Sequence, residues 1–381
     1  MGGDERHAIE QWIDGVLPLQ PSSYDSEAGK PLLDDTQKNA QRKRKFSETP
    51  VAQPNAQKRP RCERSVNALP CPGSFRNDIS LPPSLARSAS NRQSFNPIRV
   101  KAQLATATPK VVLWNENMSP GCDAALRLLV FLTSDDNAYW GADMGGIKKI
   151  SNTSNRYATQ LRSEGSWVMD VARPLLDLAI DDLPLESWNV YTESVGSKYM
   201  PRHTAKDAFN CKLDLVVGLP KIPWVRKYKQ AGADIFGRDL SHVDHPYTGK
   251  RIIGLGVEVK ASDGNLVEAQ VQLAGWMASL VSWGFASRCD ASGNAGNVCI
   301  PPPMVGCTVI GQDWKFYIVY GIAGASNQLS EVRVWGPLSD LNGQATRKRH
   351  TAALAKTLRR VMQYIRGSYA EQLFSLLTQR H

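Results

Sequence analysis

Two apolar stretches carry charge where a buried strand should have none. Lys212-Leu213-Asp214-Leu215-Val216-Val217-Gly218 holds one carboxylate, and Gly254-Leu255-Gly256-Val257-Glu258-Val259-Lys260 holds a carboxylate and an ammonium two positions apart. Side chains alternate faces along a strand, so Glu258 and Lys260 point to the same side. Charge inside an apolar strand is costly unless it is paired or holds a cation. A divalent metal accounts for two carboxylates converging at strand ends. Mg²⁺ takes carboxylate oxygen and water, needs one or two protein carboxylates, and completes its shell with substrate phosphate. A lysine beside it could orient or activate the attacking water and offset charge developing at phosphorus. The structural alternative is a buried ion pair between Lys260 and an acid, or polar residues on a solvated strand edge. Spacing alone leaves both open.

The elements that must position these groups follow from periodicity. Cys122 to Thr133 reads as a buried helix, and Arg156 to Ile180 as one or two helices with Trp167, Val171, Leu175 and Leu178 on one face. Trp188 to Ser194, Lys212 to Leu219 and Arg251 to Lys260 read as strands. Gly264 to Phe285 is a helix, with Leu266, Ala269, Leu273, Trp276, Met277 and Leu280 at helical spacing. Met304 to Ile310, Trp314 to Ile322 and Val332 to Trp335 read as further strands, and the 350s to the late 370s as a long helix interrupted at Gly367. This order, without internal repeat, predicts one α/β domain with helices packed on a mixed sheet.

Charge divides the chain. Of 46 Lys+Arg and 36 Asp+Glu, the stretch Thr36 to Lys101 holds 14 and 3, so it carries more than the whole net charge of +10. Ser, Pro, Gln, Asn and Arg dominate from about Pro18 to Ala105, and the hydrophobics there show no period. Such a composition cannot bury enough apolar surface to offset its ordering entropy, so it is expected to be disordered. Residues 1–17 include Ile9, Trp12, Ile13 and Val16 at helical spacing, a short amphipathic helix. Arg42 to Lys45 and Lys58 to Arg61 lie 12 residues apart, the layout of a bipartite nuclear localisation signal. That layout predicts a nuclear import receptor as partner and the nucleus as location; the alternative is a basic linker touching phosphates nonspecifically. The seven cysteines are odd in number and match no zinc spacing, as expected of reduced thiols. Met1 to Ile13, with early acids and no apolar core, does not read as a signal peptide, and no apolar run reaches membrane-spanning length, so a soluble protein without a membrane partner is expected. His242 and His245 around Asp244 read as a solvated turn. Arg347 to His350 with Arg359, Arg360 and Arg366 read as the solvated basic face of the last helix, able to approach a backbone phosphate.

From about Pro109 to the end, the chain resembles the fungal PD-(D/E)XK nuclease-like domain proteins of the restriction-endonuclease-like superfamily, and the N-terminal Gln11-Trp12-Ile13 helix with its basic linker also looks like theirs. Glu164-Gly165-Ser166-Trp167 followed by Val171-Ala172-Arg173-Pro174-Leu175-Leu176 resembles the family's first helix, and Leu213-Asp214 its Val-Asp strand. Leu240 to Pro246 resembles the segment before its third strand. Val257-Glu258-Val259-Lys260 resembles its Ile-Glu-Thr-Lys strand, and Glu268-Ala269-Gln270-Val271-Gln272-Leu273-Ala274-Gly275-Trp276 the helix that follows. The chain departs from the pattern at Ala172, where the family has His, and at Leu213, where the superfamily name has Pro. The resemblance implies a mixed β-sheet flanked by helices over 106–381, after a disordered basic linker over 18–105. It implies Mg²⁺ or Mn²⁺ on Asp214 and Glu258, with Glu164 as a further acid from the first helix. Lys260 would be the catalytic lysine, and Gln272 would help to hold the site. The expected activity is metal-dependent hydrolysis of phosphodiester bonds in DNA, with RNA the less favoured substrate, in the nucleus. The alternative is a catalytically inactive domain that binds nucleic acid or protein.

Overall fold

The computed structural model describes residues 96–134, 140–204, 209, 211–220, 239–288 and 300–378. The expected helix over 1–17, most of the 18–105 linker and both basic clusters lie outside the described residues. All described residues belong to the unit Leu85–His381.

The first difference from expectation comes at the boundary. Helix α1, Pro97–Ala105, lies inside the stretch assigned to the linker. Asn96 accepts from the Ile98 and Arg99 amides, Pro97 supplies a preset φ at the first turn, and Leu104 is buried. One cap and one anchoring leucine outweigh a polar composition, because α1 packs on the later apolar helix α6 instead of standing alone.

After α1 come β1 (Lys110–Trp114), α2 (Asp123–Thr133) and α3 (Met144–Gln160). Asp143 caps α3, and Leu161 in the left-handed region (φ 48°) ends it. A continuous run follows: α4 (Glu164–Trp167), a π-helical turn Val168–Ala172, and α5 (Arg173–Ile180). The Arg173 amide reaches back five residues to the Val168 carbonyl, directly before Pro174, which has no amide to give.

Next are β2 (Glu186–Asn189), β3 (Leu215–Leu219), β4 (Ile252–Lys260), α6 (Leu266–Ser287), β5 (Met304–Ile310), β6 (Asp313–Ala323), β7 (Leu329–Trp335) and β8 (Gly343–Gln344). Helix α7 (Lys348–Tyr364), a π-helical turn Ile365–Tyr369 and α8 (Ala370–Thr378) end the fold, with Gly367 breaking the helix as expected.

The strands form one mixed sheet in the order β1-β7-β6-β5-β4-β3-β2, with β8 beside β6. The β1–β7 and β4–β5 pairs are parallel and the others antiparallel. Helix α6 makes the crossover between β4 and β5. Asn265 caps it by accepting from the Val267 and Glu268 amides, and its apolar residues pack on both strands. Being central, β4 is buried along its length up to Val259, which is why it reads as a continuous apolar run. Gly256 lets it pass close to its neighbours: an added Cβ would lie 2.7 Å from Met277 Sδ and 2.9 Å from Leu213 Cδ2.

Two polar assignments are corrected. His242 is not in a solvated turn: it is buried, its ring centroid 4.1 Å from that of Trp276. Burial pushes its pKa down to about 3, so the ring is neutral. Arg359 and Arg360 do not belong to a solvated face. Arg359 is buried and donates to the carbonyls of Ala179 and Ile180 and to Asp182, and Arg360 donates to the Leu132 carbonyl. Both cations stitch α7 to the ends of α5 and α2, whose last carbonyls lack partners within their own helices.

Candidate active site

Asp214 stands immediately before β3. The β3–β4 register places Leu215 opposite Val257, so Asp214 meets the end of β4 where the charged pair sits. Its Oδ2 accepts from the Val259 amide at 2.8 Å, and its backbone carbonyl accepts from the Val190 amide at 3.0 Å. The lead-in is held from α6. Gln272 Oε1 accepts from the Lys212 amide at 3.1 Å, and the Cys211 thiol fills the space left by the missing side chain of Gly275. Gln272 therefore acts on Asp214 through the backbone that carries it.

On β4, Glu258 and Lys260 share a face, as alternation requires, and their Oε1 and Nζ are 3.0 Å apart. The same ammonium lies 3.3 Å from Glu164 Oε2, at the start of α4, and 3.5 Å from Glu268 Oε1, on α6. Four segments thus converge: the entry to β3, the end of β4, the start of α4 and the first turn of α6. Asp214 and Glu258 are buried, while Glu164 and Glu268 are at least a third exposed along their side chains and open the cluster to solvent.

The charges are unbalanced. Four carboxylates meet one ammonium. Burial pushes the Asp214 carboxyl up to about 6, with Glu164 adding repulsion and the Val259 amide and Lys260 only partly opposing it. Burial likewise holds Glu258 well above the usual carboxylate range, reinforced by Asp214 and Glu164 against the pull of Lys260. Burial works against the charge on Lys260, but Glu258, Glu164 and Glu268 outweigh it and leave its pKa raised. The ammonium is firmly charged, and among the described residues no second cation pairs with these acids.

That deficit fits a hard divalent ion, which carboxylate oxygens suit. Among the described residues, no group of three or more His, Cys, Asp and Glu side chains is arranged to hold a metal ion. Glu164, Asp214 and Glu258 are therefore not a ready-made shell as they stand, with Glu164 and Glu258 both turned to Lys260. The fit is to a site in which the protein gives one or two carboxylates and water and phosphate give the rest.

The structure brings Glu164, Asp214, Glu258 and Lys260 together and places Gln272 behind them. It also adds Glu268, which sequence reasoning used as part of a motif but not as a site residue. The signal was present: Glu268 and Gln272 are four apart on the helix after the charged strand, hence on one face. Cys211 is also adjacent, but burial and Glu258 push its thiol up to about 12, so it packs and does not react.

A buried acid before one central strand, an acid and a lysine two apart on the next, and a helical acid facing both have a counterpart among known families. The model of the PD-(D/E)XK nuclease superfamily matches residues 133–370. The chain belongs to that superfamily. The match runs from the end of α2 to the start of α8 and takes in every residue of the cluster. No curated protein matches the chain.

Proposed function

We propose that the protein is a divalent-metal-dependent nuclease that hydrolyses phosphodiester bonds of nucleic acid, DNA ahead of RNA, and that it works in the nucleus. The observation that carries this reading is the cluster itself: three carboxylates paired with one lysine and a fourth, Asp214, beside them, with Asp214 and Glu258 buried. A folding core gains nothing from that excess of negative charge. Asp214 and Glu258 would hold Mg²⁺ or Mn²⁺, with Glu164 at the open side of the site. When bound, the metal supplies Lewis acidity toward phosphate and lowers the pKa of its water. The chain's own groups do the rest. The Val259 amide fixes Asp214 so that one oxygen is committed to the backbone. Gln272 keeps the entry to β3 in place. Lys260 stays protonated and offers positive charge where negative charge develops on the phosphate, while Glu164 and Glu268 aim its ammonium from two sides. The nuclear assignment rests on the two basic clusters at 42–45 and 58–61.

A second reading, a silent nuclease-like module that binds nucleic acid or protein, is favoured by one observation: Lys260 already neutralises part of the cluster without a metal. Incubation of the chain with plasmid, linear duplex, single-stranded DNA and RNA in Mg²⁺ or Mn²⁺ separates the two. The nuclease reading expects cleavage that EDTA stops and that Asp214→Asn, Glu258→Gln and Lys260→Ala each abolish, with all three variants still folded. Intact substrates under every condition, with binding indifferent to the cation, would leave the silent module.

A further inference from the structure

Away from the carboxylates, one surface gathers positive charge without acidic partners among the described residues. Helix α3 carries Lys148, Lys149 and Arg156 with no acid anywhere in its length, and all three are exposed. They line a shallow groove of about 580 Å³ whose remaining walls are Gly145, Asn152 and Thr153, without a carboxylate. A second element adds to it. Ser151 Oγ and Asn155 Nδ2 of α3 donate to the Thr346 carbonyl at 3.3 Å and 2.6 Å, which seats the start of α7 beside α3. The next three residues, Arg347, Lys348 and Arg349, are exposed cations at the positive end of the α7 dipole, with no acid in that turn and no side-chain cap. Cations are unfavourable there, whereas an anion is welcome. Among the described residues none of these six cations is in an ion pair. The outer groove adjoins a deeper one of about 710 Å³ that does contain Asp143, Asp170 and Asp181, so the anion must lie on the outer face.

We infer that this surface, α3 with the start of α7, holds the sugar-phosphate backbone of the nucleic acid beyond the scissile bond. The inference rests on the proposed nuclease reading for the class of substrate only. Its geometry suits a strand. From Lys148 to Arg156 the charged stretch of helix runs about 12 Å, long enough for about three phosphates of one strand. The helix ends at the turn that delivers Glu164 to the carboxylate cluster. The contacts are to phosphate, so the surface sets affinity and register and not base sequence.

The test uses the full chain in EDTA, where nothing is cut. Arg42, Lys43, Arg44, Lys45, Lys58, Arg59 and Arg61 are replaced by Ala so that the basic N-terminal clusters do not mask the effect. Binding of a fluorescein-labelled 20-mer, single-stranded and duplex, is followed by anisotropy across a salt series. Replacing Lys148, Lys149 and Arg156 together by Gln is expected to weaken binding by about tenfold or more. The slope of log affinity against log salt should become shallower by about 2 for the single strand and about 2.7 for the duplex. The control triple Lys101→Gln, Lys110→Gln and Arg127→Gln removes the same net charge from exposed positions elsewhere and should leave the slope nearly unchanged. An unchanged slope in the α3 triple, an equal loss in the control, or no binding by the parent chain would each overturn the inference. So would α3-dependent capture of phosphatidylserine vesicles without capture of nucleic acid. Failure of the nuclease reading looks different: α3-dependent binding persists, but Mg²⁺ brings no cleavage. Where cleavage does occur, the α3 triple should raise KM and leave kcat at saturation in place.

Discussion

Replacing Asp214 by Asn keeps shape, keeps an oxygen for the Val259 amide and removes one charge from the buried end of β3. The carboxyl's pKa is raised from 3.8 in the unfolded chain to about 6. At 1.36 kcal/mol per unit this displacement corresponds to roughly 3 kcal/mol of lost stability once the group ionises. Because the folded pKa lies above the unfolded one, unfolding releases a proton between about pH 4 and 6. Stability therefore falls as pH rises through that window, and the penalty is complete above it. Below it both states are protonated and nothing is lost. Asn never ionises, so the variant should match the wild type near pH 4 and exceed it from pH 6 upward. One effect reduces the gain, because the amide brings two donors into a buried site; relief of the Asp214 repulsion on Glu258 works the other way. A net gain of about 1–3 kcal/mol remains, a rise of roughly 3–10 °C in melting temperature for a domain of this size. Melting curves in EDTA at pH 4, 5, 6, 7 and 8 measure it. With Mg²⁺ present the wild type should climb and the variant should not, because a ligand stabilises only the form that binds it. A variant less stable than the wild type at pH 8, or a difference flat across the range, would refute the argument that Asp214 is a strained buried charge.

Lys260→Ala leaves three carboxylates without their ammonium, and in EDTA at neutral pH it should cost about 3–5 kcal/mol by melting, with Mg²⁺ recovering part of the loss. Gly275→Ala drives a methyl into the Cys211 sulfur and should cost about 1–3 kcal/mol. Adding Cys211→Ala should return part of that, a non-additivity measured by the double-mutant cycle. Replacing Arg42, Lys43, Arg44, Lys45, Lys58, Arg59 and Arg61 by Ala should move a fluorescently tagged chain from nucleus to cytoplasm; unchanged nuclear signal would detach import from these clusters.

The central strands were legible because burial on both faces demands an unbroken apolar run, and β4 and β5 are such runs. The charged pair stood out against that run for the same reason. Boundaries were less legible where a backbone amide or a cap decides them. Asp214 was expected inside a strand, but its side chain takes the Val259 amide and β3 begins one residue later. The start of α3 at Met144 was missed because Gly145 and Gly146 argue against a helix, and the Asp143 cap that offsets them is a single polar residue in a polar stretch. His242 and Arg359 were misplaced because polarity predicts exposure only until a neighbour supplies enclosure. Here that neighbour is Trp276 for the histidine and two helix-end carbonyls for the arginine. Sequence patterning also holds no record of which distant segments meet, so the adjacency of α3 and the start of α7 was out of its reach.

The edge of the sheet has a consequence for how the protein is made. Strand β1 pairs in parallel with β7, Lys110 opposite Glu331, across more than two hundred residues of intervening chain. At the pace of a ribosome, β1 waits roughly ten to forty seconds for its partner. Until then its backbone donors and acceptors stay open, the condition under which strand edges recruit other chains. The segments that carry Glu164, Asp214, Glu258, Lys260, Glu268 and Gln272 are all synthesised within that interval, and the β2–β3–β4 antiparallel pairings need nothing from β7. A chain halted after β5 therefore already holds every charged group of the cluster while its first strand is still unpaired.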